Sequence, residues 1–319
     1  MIYTVTLNPA VDQTFEIEKL VLNDTNRVLA SRTEPGGKGI NVSRMLKELG
    51  EETVALGFLA GGIGRYIEHT LQNQEIFCDF VHTRGQTRTN ITIIDHKSTN
   101  HTILSDRGPE TAHRSVDELF IRLKRHIKDG DWLVIAGSIP PLIEPDIYAR
   151  IIAFARAVGA RTTLDADGSA LSLGIEARPD LVKVNRRELE RLLAREVRGD
   201  ASIISAARKL HSRGLPTVIV TMGARGCVGV NDEGVWRATP PRITGTSAVG
   251  AGDAFVAGVV MTLKRGGSLS EGLRLGTAAG AATYISPGIR PCSRRDVEAL
   301  LDKVEVMAFK RPCRSKQGA

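Results

Sequence analysis

The stretch Leu181–Thr221, LVKVNRRELERLLAREVRGDASIISAARKLHSRGLPTVIVT, has a β-branched run at each end, Leu181–Val184 and Thr217–Thr221, and a helical-period segment, Ala201–His211, between them. Strand, helix and strand in that order read as a crossover that lays two strands side by side and parallel. The pattern extends in both directions. Strand-like runs occupy Ile2–Leu7, Thr53–Leu59, Trp132–Ala136 and Arg161–Leu164. Apolar residues recur at helical spacing in Ile40–Leu49, Val116–Ile127, Ile147–Val158, Ala254–Leu263 and Leu269–Tyr284. The expected architecture is an α/β fold, a three-layer α/β/α sandwich around a mostly parallel central sheet. No repeat or long Pro/Ser linker divides the chain, so residues 1–308 are expected to form a single domain.

Two stretches break the alternation, Val11–Pro35 and Thr87–Ser105, where strand-like runs follow one another with no helix between them. Thr89–Ile94 and His101–Leu104 have the look of a hairpin. Together these excursions, at about 11–35 and 87–105, predict a small antiparallel β-sheet over the strand ends, where open α/β sheets bind ligands. That sheet would act as a lid; surface decoration without function is the alternative.

The chain has 319 residues, of which 42% are hydrophobic and 25% charged, values that place it among globular proteins rather than disordered or fibrous ones. No apolar run approaches the roughly 20 residues of a membrane helix, so no membrane partner is expected. The N-terminus enters strand-like alternation at once, without the pattern of a secretory signal. Cys78, Cys227, Cys292 and Cys313 lie far apart and form no CxxC pair, which suits a reducing cytoplasm and neither a zinc knuckle nor a disulfide framework. Of the net charge of +7, four positive charges come from Lys310, Arg311, Arg314 and Lys316, in a tail at 309–319 expected to be solvated and mobile. Aromatics make up only 4% of the chain, too few for a stacking groove, so no nucleic acid is expected. The remaining positive charge suits an anionic small substrate.

The strongest chemical feature is Ser247–Asp253, SAVGAGD, running directly into the helical segment Ala254–Leu263. Gly250 and Gly252 permit positive φ and close backbone approach, and the first N–H groups of a helix have no intrahelical partner. Those donors and the helix dipole make an anion site suited to the charge on a transferring γ-phosphoryl group. A carboxylate at Asp253 can take the proton of an attacking hydroxyl, although an Asp at a helix start also serves as a cap. This is no Walker A loop: Gly245–Gly250 has the GxxxxG spacing, but Ala251 stands where lysine is required. No HRD or DFG set appears, and no GxGxxG follows the first strand, which argues against a nicotinamide enzyme.

At the other end, Thr6–Asp12, TLNPAVD, places the Asp12 carboxylate just past the first strand. There it can accept from two sugar hydroxyls, or it can satisfy its own turn. Pro35–Val42, PGGKGINV, crowds Gly36, Gly37 and Gly39 at a helix start, with Asn41 offering an amide to hydroxyls and Lys38 a point charge to a phosphate. The same glycines would also serve tight packing.

Five motifs in order, TLNPAVD at 6–12, GGKGINV at 36–42, GSIPP at 137–141, NRRE at 185–188 and GAGDAF at 250–255, resemble the PfkB (ribokinase-like) carbohydrate kinases. The likeness is strongest to the 1-phosphofructokinase branch, with tagatose-6-phosphate kinase and the minor 6-phosphofructokinase close behind. The resemblance implies a ribokinase-like fold with a β-sheet lid, ATP and Mg²⁺, and transfer to a primary hydroxyl of a phosphorylated ketohexose. It makes Asp253 the catalytic base and puts the anion hole at the Gly250 turn, at Ala251, Gly252 and the N–H of Asp253. It assigns sugar hydroxyls to Asp12, Gly37 and Asn41, and the magnesium with its waters to Asn185 and Glu188. Arg27, Lys38 and Arg88, with Ser138, are then the candidates for the substrate's own phosphate, and Thr221–Gly226, with Gly223, the nucleotide loop. Asn90, two residues after Arg88, is more like the 1-phosphofructokinase pattern than the tagatose-6-phosphate kinase one. Departures are Leu142 after GSIPP, Val184 before NRRE, and Ile103 at a position often acidic in that branch. A non-catalytic protein that senses a sugar phosphate is the reading from another class. Exposed lid edges suggest a homodimer.

Overall fold

A computed structural model describes residues 1–98, 101–245, 249–286 and 291–309. Ser247 and Ala248 of the glycine turn, and the tail beyond Phe309, lie outside the described residues. The strands are β1 (Ile2–Thr6), β2 (Ala10–Ile17), β3 (Val28–Gly36), β4 (Thr53–Ala60), β5 (Phe77–Thr83), β6 (Arg88–Asp95), β7 (His101–Leu104), β8 (Trp132–Ala136), β9 (Arg161–Asp165), β10 (Leu181–Asn185), β11 (Thr217–Thr221), β12 (Cys227–Asn231), β13 (Gly234–Thr239) and β14 (Glu305–Phe309). The helices are α1 (Lys38–Glu48), α2 (Gly61–Asn73), α3 (His113–His126), α4 (Ile147–Ala157), α5 (Gly168–Glu176), α6 (Arg186–Leu193), α7 (Gly199–His211), α8 (Ala251–Lys264), α9 (Leu269–Ile285) and α10 (Arg294–Leu301).

Ten strands form the main sheet in the order β14, β13, β12, β11, β10, β9, β8, β1, β4, β5. The pairings from β11 through β5 are all parallel, while β12, β13 and β14 continue the sheet antiparallel. Strand periodicity sorts the side chains into two cores. Tyr3, Val5, Leu133 and Ile135 face α3, α4, α5 and α7, whereas Ile2, Trp132, Val134 and Ala136 face α1, α8, α9 and α10. With both faces covered, β4 is buried along its whole length. Its apolar residues divide between the first core and a third patch under α2, built on Ala55, Leu59, Ile67, Leu71 and Phe80.

The second sheet, in the order β3, β2, β6, β7, is the expected lid. Its outer pairings, β2 with β3 and β6 with β7, are antiparallel, and Thr89–Ile94 and His101–Leu104 do pair as a hairpin. The central pairing of β2 with β6 is parallel, so the sheet as a whole is mixed. The reason is topological: β2 and β6 each leave the main sheet at its ligand end, through Leu7–Pro9 and Arg84–Thr87, and so run the same way. The expected tail boundary also moves, because Phe309 pairs with Val235 at the end of β14.

Candidate active site

Gly250 takes φ 77° as the N-cap of α8, a left-handed conformation natural to glycine, and the turn opens directly into the helix. Asp253, in the first turn, is buried and accepts from Asn41 Nδ2 at 2.8 Å. Burial, reinforced by the nearby Asp165 charge, pushes its carboxyl up to about 6, with Asn41, Lys38 and Lys183 pulling the other way. The backbone N–H of Asp253 donates to Gly250 O at 3.1 Å, so it is already engaged rather than free for an anion. The free N–H donors of this turn are therefore those of Ala251 and Gly252.

Beneath the turn lies a charge cluster at the carboxyl ends of the strands. Asp165, the last residue of β9, accepts from Lys38 Nζ at 2.7 Å and from Lys183 Nζ at 2.8 Å. Burial opposes ionisation of Asp165, yet Lys183 and Lys38 outweigh it and hold the carboxyl below its usual range. Burial likewise disfavours the Lys38 ammonium, but Asp165, Glu188 and Asp253 more than offset that and raise it. Lys38, read in the sequence as a ligand for the sugar's phosphate, thus points to Asp165 and, at 3.9 Å, to Glu188.

The lid edge carries the second cluster. Asp12 on β2 and Asn90 on β6 stand in register, and Asn90 Nδ2 donates to Asp12 Oδ1 at 2.8 Å. Burial raises the Asp12 carboxyl, against Asn90, Arg88 and Arg44. Gly36 lacks a side chain because a Cβ there would run into that carboxylate, and Gly37, at φ 115°, passes close to Thr6 and Pro9. Arg88 donates from Nη1 to Asp106 O at 2.8 Å and from Nη2 to Asn8 O at 3.0 Å, with Ser138 Oγ at 3.4 Å. Arg88 and Ser138 therefore meet, and Asn8 Nδ2 joins them at 3.2 Å from Ser138 Oγ. Arg27 does not meet them. It is exposed in the loop between β2 and β3, beyond the Ile17–Val28 pair, about 16 Å of strand from Asp12.

On the other side, Asn185 and Glu188 form a reciprocal capping box at the start of α6: Glu188 N donates to Asn185 Oδ1 at 2.9 Å, and Asn185 N to Glu188 Oε2 at 2.7 Å. Glu188 Oε1 is left facing Lys38. Thr221 stands in register with Asn185 at the end of β11. Past it, Gly223 at φ 60° opens a short 3₁₀ turn with nothing within 4 Å of a would-be Cβ, whereas a Cβ on Gly226 would strike Ala238 O. Gly223 leaves space for a ligand; Gly226 already has a packing reason. Among the described residues no cluster of three His, Cys, Asp or Glu side chains could hold a metal directly.

Five buried side-chain polar atoms among the described residues have no partner, and four of them, Thr6 Oγ1, Asn8 Oδ1, Asn41 Oδ1 and Arg88 Nε, belong to residues of this site or its floor. Native proteins rarely leave such atoms unmatched without a use for them, so their concentration here marks a surface prepared for a polar ligand. Asp165, Lys183 and Asn8 went unread in the sequence as site residues. The available signal was a lysine inside the apolar run LVKV and an aspartate closing RTTLD, the latter at a strand end that faces the ligand side.

The chain matches the model of the pfkB family carbohydrate kinases over residues 5–295. It is 38% identical to a 1-phosphofructokinase of Rhodobacter capsulatus over 92% of this chain and 94% of that one. It is 34% identical to a tagatose-6-phosphate kinase of Staphylococcus epidermidis over 82% of this chain and 85% of that one. Among solved structures, phosphofructokinase-2 from Escherichia coli in complex with substrates and products superposes with a TM-score of 0.91 at 30% identity, covering 95% of this chain and 98% of that one. The buried carboxylate at a helix-opening glycine turn, facing a lid that carries its own polar cluster, is thus found in a chain that belongs to the pfkB family of carbohydrate kinases.

Proposed function

We propose that the chain transfers the γ-phosphoryl group of ATP to the C6 hydroxyl of fructose 1-phosphate, giving fructose 1,6-bisphosphate and ADP. The observation that carries this reading is Asp253: a buried carboxylate raised to about 6 beside the open N–H groups of the α8 turn. Such a group is ionised at neutral pH yet basic enough to take the hydroxyl proton as the O–P bond forms. The Ala251 and Gly252 N–H groups meet the charge on the phosphoryl oxygens. Asp12 with Asn90 orients sugar hydroxyls, and Arg88 with Ser138 receives the phosphate the sugar already carries. Thr221, Gly223 and Gly226 border the nucleotide.

Asn185 and Glu188 fit a magnesium ion held through water. Both are oxygen donors, Glu188 Oε1 is free of the backbone, and with no cluster of three acidic, His or Cys ligands among the described residues the remaining positions fall to phosphate oxygens and water. When bound, the ion would neutralise phosphate charge. Fructose 1-phosphate is preferred over tagatose 6-phosphate because the 1-phosphofructokinase relative is more similar over more of the chain, and because Asn90 reaches Asp12 two residues after Arg88.

The lid supports a homodimer. Its edge strands β3 and β7 expose Val28, Leu29, Ile103 and Leu104, an apolar and unpaired rim that a second copy can cover. Light scattering is expected to give twice the chain mass; a monomer at micromolar concentration would remove this part.

The test of the activity is ADP release across fructose 1-phosphate, fructose 6-phosphate, tagatose 6-phosphate and unphosphorylated fructose. The highest kcat/KM is expected with fructose 1-phosphate. Turnover confined to the uncharged sugar would overturn the reading, and background release in every arm would leave only a non-catalytic sensor.

A further inference from the structure

The geometry points to Asp165 as a positioning residue for phosphoryl transfer, one that holds Lys38 and Lys183 together at the mouth of the α8 turn so that two cations meet the migrating group. This inference rests on the phosphotransferase reading above and assigns roles that reading leaves open.

Three elements converge on one carboxylate. Lys38 comes from the first turn of α1, Lys183 from the interior of β10, and Asp165 from the end of β9. Each lysine takes a different oxygen, Lys38 the Oδ1 at 2.7 Å and Lys183 the Oδ2 at 2.8 Å, so neither displaces the other. The side chains are graded in exposure: Asp165 is 1% exposed, Lys183 6% and Lys38 33%. The anion therefore lies at the bottom and the cations face the ligand side. Lys183 Nζ lies 3.6 Å from where a Cβ on Gly252 would stand, directly beneath the N–H donors of the turn, and Lys38 Nζ lies 3.9 Å from Glu188.

A single buried Asp–Lys pair would be neutral and would serve as a tie between strands. Here two lysines share one aspartate, and Lys38 also faces Glu188 at 3.9 Å, so that two cations are set against two carboxylates. What separates the cluster from a tie between strands is its placement: the ammonium groups lie on the ligand side of the buried Asp165, where three phosphoryl oxygens would arrive with negative charge. Lysine also has a flexible four-carbon stem, and Asp165 removes that freedom before substrate binds, so that no reorganisation is required during the reaction. Asp165 would touch neither substrate; it acts through the lysines.

The experiment compares Asp165→Asn and Lys38→Gln with the unaltered chain, using whichever phosphorylated ketohexose that chain turns over. A wrong sugar assignment therefore leaves this test intact. The asparagine keeps the shape and loses the charge. Expected for Asp165→Asn is a fall in kcat of about 10²- to 10³-fold, the scale of losing one preorganised donor, with KM for the sugar phosphate within about twofold.

A fall in kcat with KM held is the result that a purely structural role would not give; a second readout, of the charge arrangement, is the titration of Asp253 in the ligand-free protein. It is followed by carboxyl ¹³C resonance and assigned by its loss in Asp253→Asn. The groups facing Asp253 are Asp165 from β9, Lys183 from β10, and Lys38 with the neutral Asn41 from α1; α9 brings Gly280 and Thr283 to the turn, neither of them charged. The Asp253 midpoint should move to lower pH in Asp165→Asn, where a like charge is lost, and to higher pH in Lys38→Gln, where an opposite charge is lost. A folded Asp165→Asn with unchanged kcat, or with an unmoved Asp253 midpoint, overturns the inference. If that variant does not fold, Lys38→Gln decides alone: unchanged kcat or an unmoved midpoint overturns it. Inactivity of the unaltered chain toward every sugar phosphate would count against the activity instead, and the two midpoints would still decide the charge arrangement.

Discussion

The amide of Asn41 donates to the carboxylate of Asp253 at 2.8 Å, joining the helix that follows the first glycine turn to the residue that opens the helix after the second. The two turns are 212 residues apart in sequence between these side chains, and this bond fixes which way the base points. Asp253→Asn keeps the shape and a hydrogen bond to Asn41 but removes the proton acceptor. The expected result is a loss in kcat of about 10²- to 10⁴-fold with affinity for a non-hydrolysable ATP analogue, measured by calorimetry, little changed. Turnover near that of the unaltered chain would take the role of base away from Asp253.

The pH dependence follows from the same carboxyl. With Asp253 titrating at about 6 in the free protein, kcat/KM should rise about tenfold per pH unit on the acid side and level off above that value. A profile that levels off near pH 4 would show a carboxylate in an ordinary environment.

Stability should move in the opposite sense. Folding raises this carboxyl from 3.8 to about 6, so between those values the native state keeps a proton that the unfolded chain has released. The contribution is therefore neutral below about 3.8, declines as pH rises through about 6, and above that is a cost on the order of 3 kcal/mol. Asp253→Asn is expected to raise the melting temperature at pH 8 and to change it little at pH 4. Equal melting curves at pH 8 would contradict the burial penalty.

The parallel strands were readable because β1, β4, β8, β9, β10 and β11 are short runs rich in apolar or β-branched residues and are largely buried on both faces. The strands β12, β13 and β14 escaped notice because CVGVN and GVWRAT join through a tight turn and β14 pairs with a segment some 70 residues earlier, a contact that no local pattern signals. The site shows the same division. Gly250–Asp253 and Asp12 announce themselves by residue type next to a strand or helix end, whereas the contact of Lys38 with Asp165 has no local signal, since only the fold brings the end of β9 beneath it. Sequence spacing placed Arg27 with Arg88 on chemistry alone; the long β2–β3 hairpin separates them within one chain.

Arg88 spans the gap between lid and main sheet, donating to the carbonyls of Asn8 and Asp106 with one buried nitrogen unmatched. Hydrogen bonds to charged groups contribute about 1.5–3 kcal/mol, so Arg88→Ala should raise KM for the sugar phosphate about 10- to 150-fold. The KM for ATP should change by less than about threefold. An equal rise in both would mean that Arg88 holds the lid in place without receiving the substrate's phosphate.

The lid is fastened at its base by a buried ion pair whose loss separates stability from chemistry. Arg44 on α1 donates to Glu34 Oε2 at 2.8 Å, to Pro35 O at 3.2 Å and, through Nε, to Gln74 Oε1 at 3.1 Å. Both charged side chains are largely out of water, so removing one strands the other: Arg44→Ala should cost about 3–5 kcal/mol in urea denaturation. Replacing both, Arg44→Met with Glu34→Met, removes the stranded charge and should recover most of that loss. The double variant should nevertheless bind the sugar phosphate more weakly than the unaltered chain, because Glu34 is the register partner of Asp12 and Arg44 lowers that carboxyl's affinity for a proton. Recovery of stability together with full sugar affinity would show that the pair serves only to anchor the lid.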